Sequence, residues 1–183
     1  MDIITTFEVE IANTLSGIDE SVRSSGYHYY TNSGQIQCYD EVLSLGRNIT
    51  STTIPIDNFK SVNHIFEQDE NSGVVNQDWA TGQGAITQRI NYVIRSKVHN
   101  YGSEGGNIKN NIRIRMSECL ADLLYAFGQN YTLGGKAQWI RFVSATRQYD
   151  DITNNRIQSG TLVTVWEVVY SQSFNNPDIP ACW

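Results

Sequence analysis

The histidines His28, His64 and His99 are the first residues to test for chemistry, because imidazole binds metals and carries protons near neutral pH. They lie far apart in the sequence, and no His-x-His, His-x3-His or His-Glu-x2-His spacing puts two of them on one face of an element. Structural or surface roles fit them better. Asp150-Asp151 could share Mg²⁺ with Glu167 across a hairpin, the kind of carboxylate set that metal-assisted phosphodiester cleavage uses. The pair also sits in a polar stretch with Asn154-Asn155, where acids occur for turn geometry alone, and the turn is the stronger reading. Gly82-Gln83-Gly84 lacks the Gly-Lys-Ser/Thr of a phosphate loop, and Gly105-Gly106 lacks G-x-G-x-x-G. Ser16-Gly17 and Ser159-Gly160 have no nucleophile-elbow context. Cys38, Cys119 and Cys182 are odd in number and widely spaced, so they read as reduced thiols and not as a disulfide framework or zinc site. No residue is therefore assigned to catalysis, to a cofactor or to a metal, and the chain reads as a non-enzyme.

The remaining chemistry is electrostatic. Lys109, Arg113 and Arg115 fall at the start of an expected helix, where the macrodipole disfavours each cation by about a few tenths of a kcal/mol. A solvated helix end accounts for them, and so would a partner's acids or a nucleic acid backbone. Arg141, Arg147 and Arg156 carry the same two readings. A net charge of −6 and pI near 5.0 argue against a protein that grips nucleic acid by neutralising phosphates. Hydrophobic residues make up 40% and charged residues 17%, so Asn, Gln, Ser and Thr cover much of the surface. Such a surface is cheaper to desolvate against a partner than one dense in Lys and Glu. The N-terminus lacks the basic and apolar regions of a signal peptide, and no run reaches the eighteen or so apolar residues of a membrane helix. A protein made in the cytoplasm, with no membrane partner, is the expectation.

These side chains must be positioned by elements that hydrophobic periodicity reveals. Ile4, Phe7, Ile11, Leu15 and Ile18 recur at steps of three and four, which predicts a helix over about 3–15. Tyr27-His28-Tyr29-Tyr30 suits a strand, as does a short segment from Ile36 to Tyr39. Ile54-Pro55-Ile56 predicts an edge strand interrupted by its proline. Val62, His64 and Phe66 alternate with Asn63 and Glu67, and Ile86, Ile90, Tyr92, Ile94 and Val98 alternate with polar residues, which predicts two half-buried strands. Between them, 68–85 reads as a long loop whose Val74, Val75 and Trp79 need a surface to cover them. Ile112, Met116, Cys119, Leu120, Leu123, Leu124 and Phe127 predict a second helix over about 108–127, with Asn107 as N-cap and Gly128 as C-cap. Ala137 to Thr146 and Thr161 to Tyr170 predict a closing hairpin.

Two amphipathic helices and a mainly antiparallel sheet must bury their apolar sides on each other, so the expected fold is an α+β two-layer sandwich. A single domain over 1–174 suits the 183-residue length, followed by an extended arm over 175–183, because Pro177 and Pro180 forbid a helix there. Val74, Val75, Trp79, Arg113, Arg115, Arg156, Phe174, Ile179 and Trp183 are the candidates for subunit and partner contacts.

This layout resembles the tail terminator, or tail completion, proteins of tailed bacteriophages. The likeness rests on the N-terminal helix, the proline strand at Ile54-Pro55-Ile56, a strand pair enclosing a long loop, a helix over 108–127 and a closing hairpin, and it includes no diagnostic motif. It implies a virion protein assembled in the host cytoplasm. Copies would form a hexameric ring that caps the tail tube and joins it to neck or head-completion proteins, with DNA passing through the acidic lumen without sticking. Another neck or head-tail connector component is the neighbouring possibility, and a phosphodiester-cleaving enzyme on Asp150, Asp151 and Glu167 the more distant one.

Overall fold

The computed structural model describes residues 3–19, 26–31, 37–39, 61–68, 78–80, 85–99, 108–150, 152–153, 156–157 and 159–173. The three-and-four spacing near the N-terminus gives helix α1 (Ile3–Ser16), which buries Ile3, Phe7, Ile11, Thr14 and Leu15 along one side. Its C-terminal carbonyls do not go unpaired: the Leu15 oxygen accepts from Ile18 N–H (3.1 Å) and from Thr31 Oγ1 (2.8 Å). The second apolar stripe gives helix α2 (Ile108–Gln129), with Ile112, Met116, Cys119, Leu123, Ala126 and Phe127 buried.

The strands are β1 (Tyr30–Thr31), β2 (Gln37–Tyr39), β3 (Ser61–Gln68), β4 (Asp78–Ala80), β5 (Ala85–His99), β6 (Trp139–Tyr149), β7 (Ile152–Thr153), β8 (Arg156–Ile157) and β9 (Ser159–Ser173). The long strands run antiparallel in the order β3-β5-β9-β6. β1 and β2 add in parallel to β3, β4 adds antiparallel to β5, and β7 and β8 form a separate small ladder at the hairpin tip. Because strand side chains alternate, one face of the sheet collects Val62, His64 and Phe66 from β3, and Ile90, Tyr92, Ile94 and Val98 from β5. Leu162, Trp166, Val168 and Tyr170 of β9 join them in one continuous core. Both helices pack on this face, with the Phe7 ring 5.0 Å from Tyr170 and Phe127 4.5 Å from Trp166. The protein is thus an α+β two-layer sandwich with an open, mainly antiparallel sheet.

On the other face Ile65, Val93, Val163 and Val165 are half-buried among polar neighbours, and no described helix covers them. Arg95 pairs there with Glu67, and Arg141 Nε lies 2.7 Å from Glu167 Oε1.

Several expectations need correcting. The segment 68–85 is not loop throughout: Asp78, Trp79 and Ala80 form β4, opposite Thr87, Ile86 and Ala85. The aromatic run 27–30 contributes one residue to β1, because its backbone is held by a side chain instead of a ladder. Asp122 of α2 accepts from His28 N–H (2.9 Å) and Tyr29 N–H (2.8 Å). Gly128 does not cap α2, which continues to Gln129. The chain reverses four residues later, where Leu133, Gly134 and Gly135 take φ values of 49°, 66° and 79°. Asn130 fixes that turn to α1 by donating from Nδ2 to Thr14 Oγ1 (2.8 Å) and accepting Gly134 N–H (2.8 Å). The proline strand at 54–56 and the arm at 175–183 lie outside the described residues.

At Gly160 the layers come close together. A Cβ there would stand 2.1 Å from Met116 Cε of α2 and 2.7 Å from the Gln148 carbonyl of β6. The methionine tip can swing aside, but the backbone oxygen cannot move without disturbing the β6–β9 ladder. Gly160→Ala should therefore lower stability by about 1–3 kcal/mol, the usual cost of overpacking. Urea denaturation measures it, and an unchanged midpoint would show that the layers are looser than this.

Candidate interaction surface

Strand β6 reads Trp139-Ile140-Arg141-Phe142-Val143-Ser144-Ala145-Thr146-Arg147-Gln148-Tyr149 and ends the sheet. β9 pairs with one side of it, and among the described residues no strand pairs with the other. Ile140 is buried, and every other residue of the strand is exposed. Trp139 is 43% exposed, Phe142 36%, Val143 51% and Tyr149 46%, values at which large apolar side chains lose much of what burial would give them. A long exposed edge strand of this composition is a template for association unless something blunts it.

Two features shape the edge. The turn after α2 closes its first position, where Ile140 N–H donates to the Tyr131 carbonyl (2.7 Å). Register with β9 then shifts between Phe142 and Ser144, leaving Val143 as the extra residue of a β-bulge. Beyond the bulge, Ser144 to Tyr149 run regularly opposite Val165 to Gly160. Phe142 stands edge-on to Trp166 with ring centroids 5.5 Å apart, and Trp166 in turn meets Phe127. The edge is therefore anchored to the core by a line of three aromatic rings, with the Trp166 indole N–H satisfied by Thr164 Oγ1 (2.9 Å). Arg147 Nη2 reaches α2 and donates to Ser117 Oγ (3.1 Å). Leu124 lies two turns further along that helix on the same flank and is 43% exposed.

The residues singled out in the sequence are dispersed. Arg113 is exposed near the start of α2. Arg115 is half-buried beside the Tyr29 hydroxyl, which also donates to Glu118 Oε2 (3.0 Å), so it has the partners that its place near the helix start calls for. Burial and the neighbouring Glu118 carboxylate push the Tyr29 phenol above its ordinary range. Trp79 is placed in β4 opposite Ile86, and Arg156 in β8 opposite Thr153. Val74, Val75, Phe174, Ile179 and Trp183 lie outside the described residues. Trp139, Phe142 and Val143 were legible as strand residues but not as surface, since nothing local says which strand ends a sheet, and Tyr149 falls beyond the strand expected over Ala137 to Thr146. The one signal was composition: β6 carries two arginines and loses the alternation that β9 keeps.

The carboxylates considered for metal chemistry do not converge. Asp150 pairs with Lys97 and accepts from Ser159 Oγ, whereas Glu167 pairs with Arg141. Eight residues of extended β9 separate Ser159 from Glu167, roughly 25 Å at about 3.3 Å per residue. Asp151 lies outside the described residues. Among the described residues no three His, Cys, Asp or Glu side chains are grouped to hold a metal, and no helix is long and apolar enough to cross a membrane. No protein-family model matches the sequence, and no curated protein matches it either.

A buried polar line crosses the two layers. His64 Nδ1 lies 2.8 Å from Ser96 Oγ, and Ser96 is hydrogen-bonded to the Cys119 thiol of α2. Burial pushes that thiol up to about 12, so it is not a nucleophile at neutral pH. Among the described residues His64 Nε2 has no hydrogen-bond partner, and protonation would create a buried charge whose N–H finds no acceptor among them. Burial accordingly lowers the His64 pKa to about 4, from 6.5. The unfolded chain therefore takes up a proton that the folded chain refuses. This contribution to stability is complete above about pH 6.5 and falls as the pH drops toward 4, losing about 2 kcal/mol between pH 7 and pH 5. Urea unfolding of His64→Gln at the two pH values should show a pH dependence smaller by that amount. An identical pH dependence in both proteins would show that His64 is protonated in the fold.

Proposed function

We propose that the chain is a virion structural subunit of the tail-terminator kind, whose copies join in a ring at the end of a phage tail tube. The observation that supports this reading is the edge of the sheet: eleven residues of β6 ending in Tyr149, with Trp139, Phe142, Val143 and Tyr149 exposed on an ordered scaffold. A protein that worked alone would leave a large apolar edge wet, at a cost in solubility. A subunit covers it on assembly. The two helices on one face of a mainly antiparallel sheet agree with the fold that the resemblance implies. The ring of six, the attachment to tube and neck, and the acidic passage for DNA are carried by the resemblance alone. The protein would work in the virion after assembly in the host cytoplasm, without cofactor or catalytic centre. The separation of Asp150 from Glu167 gives the phosphodiesterase reading no support.

The test is polymerisation of the tail-tube protein of the same virion, followed by electron microscopy. Adding this chain should shorten the tubes and leave a ring at one end. Unchanged tube lengths with no ring would overturn the terminator reading, and rings bound to head-completion proteins instead of tubes would reassign the chain to the neck.

A further inference from the structure

Among the described residues, the open part of the β6 edge begins at Phe142, because the Tyr131 carbonyl already takes the Ile140 N–H. Phe142, Val143 and Tyr149 are exposed along it, and Arg147 donates to a neutral hydroxyl, Ser117 Oγ. The sequence that follows β9 matches this surface in chemistry. Phe174-Asn175-Asn176-Pro177-Asp178-Ile179-Pro180-Ala181-Cys182-Trp183 carries three large apolar side chains and a single charge, Asp178. Residues 177–180 have the P-x-x-P spacing of segments that dock as a polyproline II helix on aromatic-lined surfaces. Length prevents a chain from laying this segment along its own edge. β9 runs on to Ser173, four residues past the Val169 that stands opposite Trp139, so it leads away from β6. Phe142 stands opposite Trp166 and Tyr149 opposite Gly160, seven and thirteen residues before Ser173, roughly 23 Å and 43 Å at about 3.3 Å per residue. Ten fully extended residues span at most about 33–36 Å. They would reach Phe142 with about three residues to spare and would fall short of Tyr149.

We propose that residues 174–183 of one copy seat against Phe142 to Tyr149 of the next, with their apolar side chains on Phe142, Val143 and Tyr149 and Asp178 facing Arg147. A second copy is the occupant because the chain itself supplies a segment of matching composition that is too short to cover its own edge. The prolines suit this role. Pro177 and Pro180 have no N–H to give, and the bulge at Val143 interrupts the edge they would pair with, so side chains and not a continuous ladder carry the contact. A cover that contains proline also ends the sheet where another strand would extend it. The pairing of Asp178 with Arg147 sets direction more than affinity. Each copy gives one segment and receives another, so contacts run head to tail until the rotation closes a ring or an open filament forms. This inference rests on the assembly reading and names what covers the edge.

The experiment uses two variants of the whole chain. One carries Ile179→Asp with Trp183→Asp in the segment, and the other Val143→Asp with Tyr149→Asp at exposed positions of the edge. Light scattering gives mass against concentration, and thermal melting confirms the fold. Each variant alone should associate roughly 100-fold or more weakly than the unmodified chain, because two apolar contacts are lost from every interface. An equal mixture should form a dimer and stop there. The intact segment of the edge variant seats on the intact edge of the segment variant, and the two altered surfaces that remain bind nothing further. Variants that melt normally and assemble like the unmodified chain, or a mixture that stays monomeric while the unmodified chain assembles, would overturn the interface and leave the assembly reading intact. An unmodified chain that stays monomeric at every concentration, with and without tail-tube protein, would overturn both. If the edge variant melts early, a peptide of residues 174–183 added to the unmodified chain decides: it should dissolve the assembly while slowing hydrogen exchange in β6, and no effect on either would overturn the proposal.

Discussion

The fold depends on one ladder. β5 and β9 pair over fifteen positions, from Ala85 opposite Ser173 to His99 opposite Ser159, and every other layer is fixed relative to them. Their inner positions bury Ile90, Tyr92, Ile94, Val98, Leu162, Trp166, Val168 and Tyr170, which gives both helices their apolar floor. A one-residue slip would carry that whole set to the opposite face, so the hydrophobic pattern pins the register. The polar groups that remain inside follow the same register. Ser96 meets His64 across the β3–β5 pair, and Thr164 serves the indole of Trp166 while reaching the Ile94 carbonyl (3.3 Å).

A central ladder of this kind sets up an asymmetry. On one side β3 and β4 share the edge of β5, and β1 and β2 extend the sheet beyond β3. On the other, β9 holds a single strand, β6, whose outer side pairs with no described strand. α2 covers the inner face of the central strands and stops short of covering β6, leaving Phe142 half-anchored on Trp166. The exposed aromatic edge is therefore a consequence of the strand order.

Much of this was legible in the sequence. The steps of three and four in both helices and the alternation through Val62, His64 and Phe66 and through Ile90 to Val98 belong to single elements, and local spacing reports them directly. What failed was decided over long range. The run from Tyr27 to Tyr30 has strand composition, yet Asp122, more than ninety residues later, holds its backbone. β4 forms because β5 offers an edge, and a three-residue segment around Trp79 has no period to read. Gly128 sits inside α2 because the next turn is stabilised by Asn130 bridging to Thr14, which no C-cap pattern announces. The site itself was the least legible feature. β6 and β9 have similar strand composition, and which of them lies inside the sheet is settled by pairing, not by propensity.

If the chain works as an assembled subunit, the outer side of β6 is covered when copies assemble and open when they do not. Hydrogen exchange, followed by mass spectrometry on the assembled and the dissociated protein, reads this directly. Slow exchange is expected for the interior of the β5–β9 ladder in both states, and strong protection of Trp139 to Tyr149 in the assembled state alone. Equal exchange of that strand in the two states would contradict it.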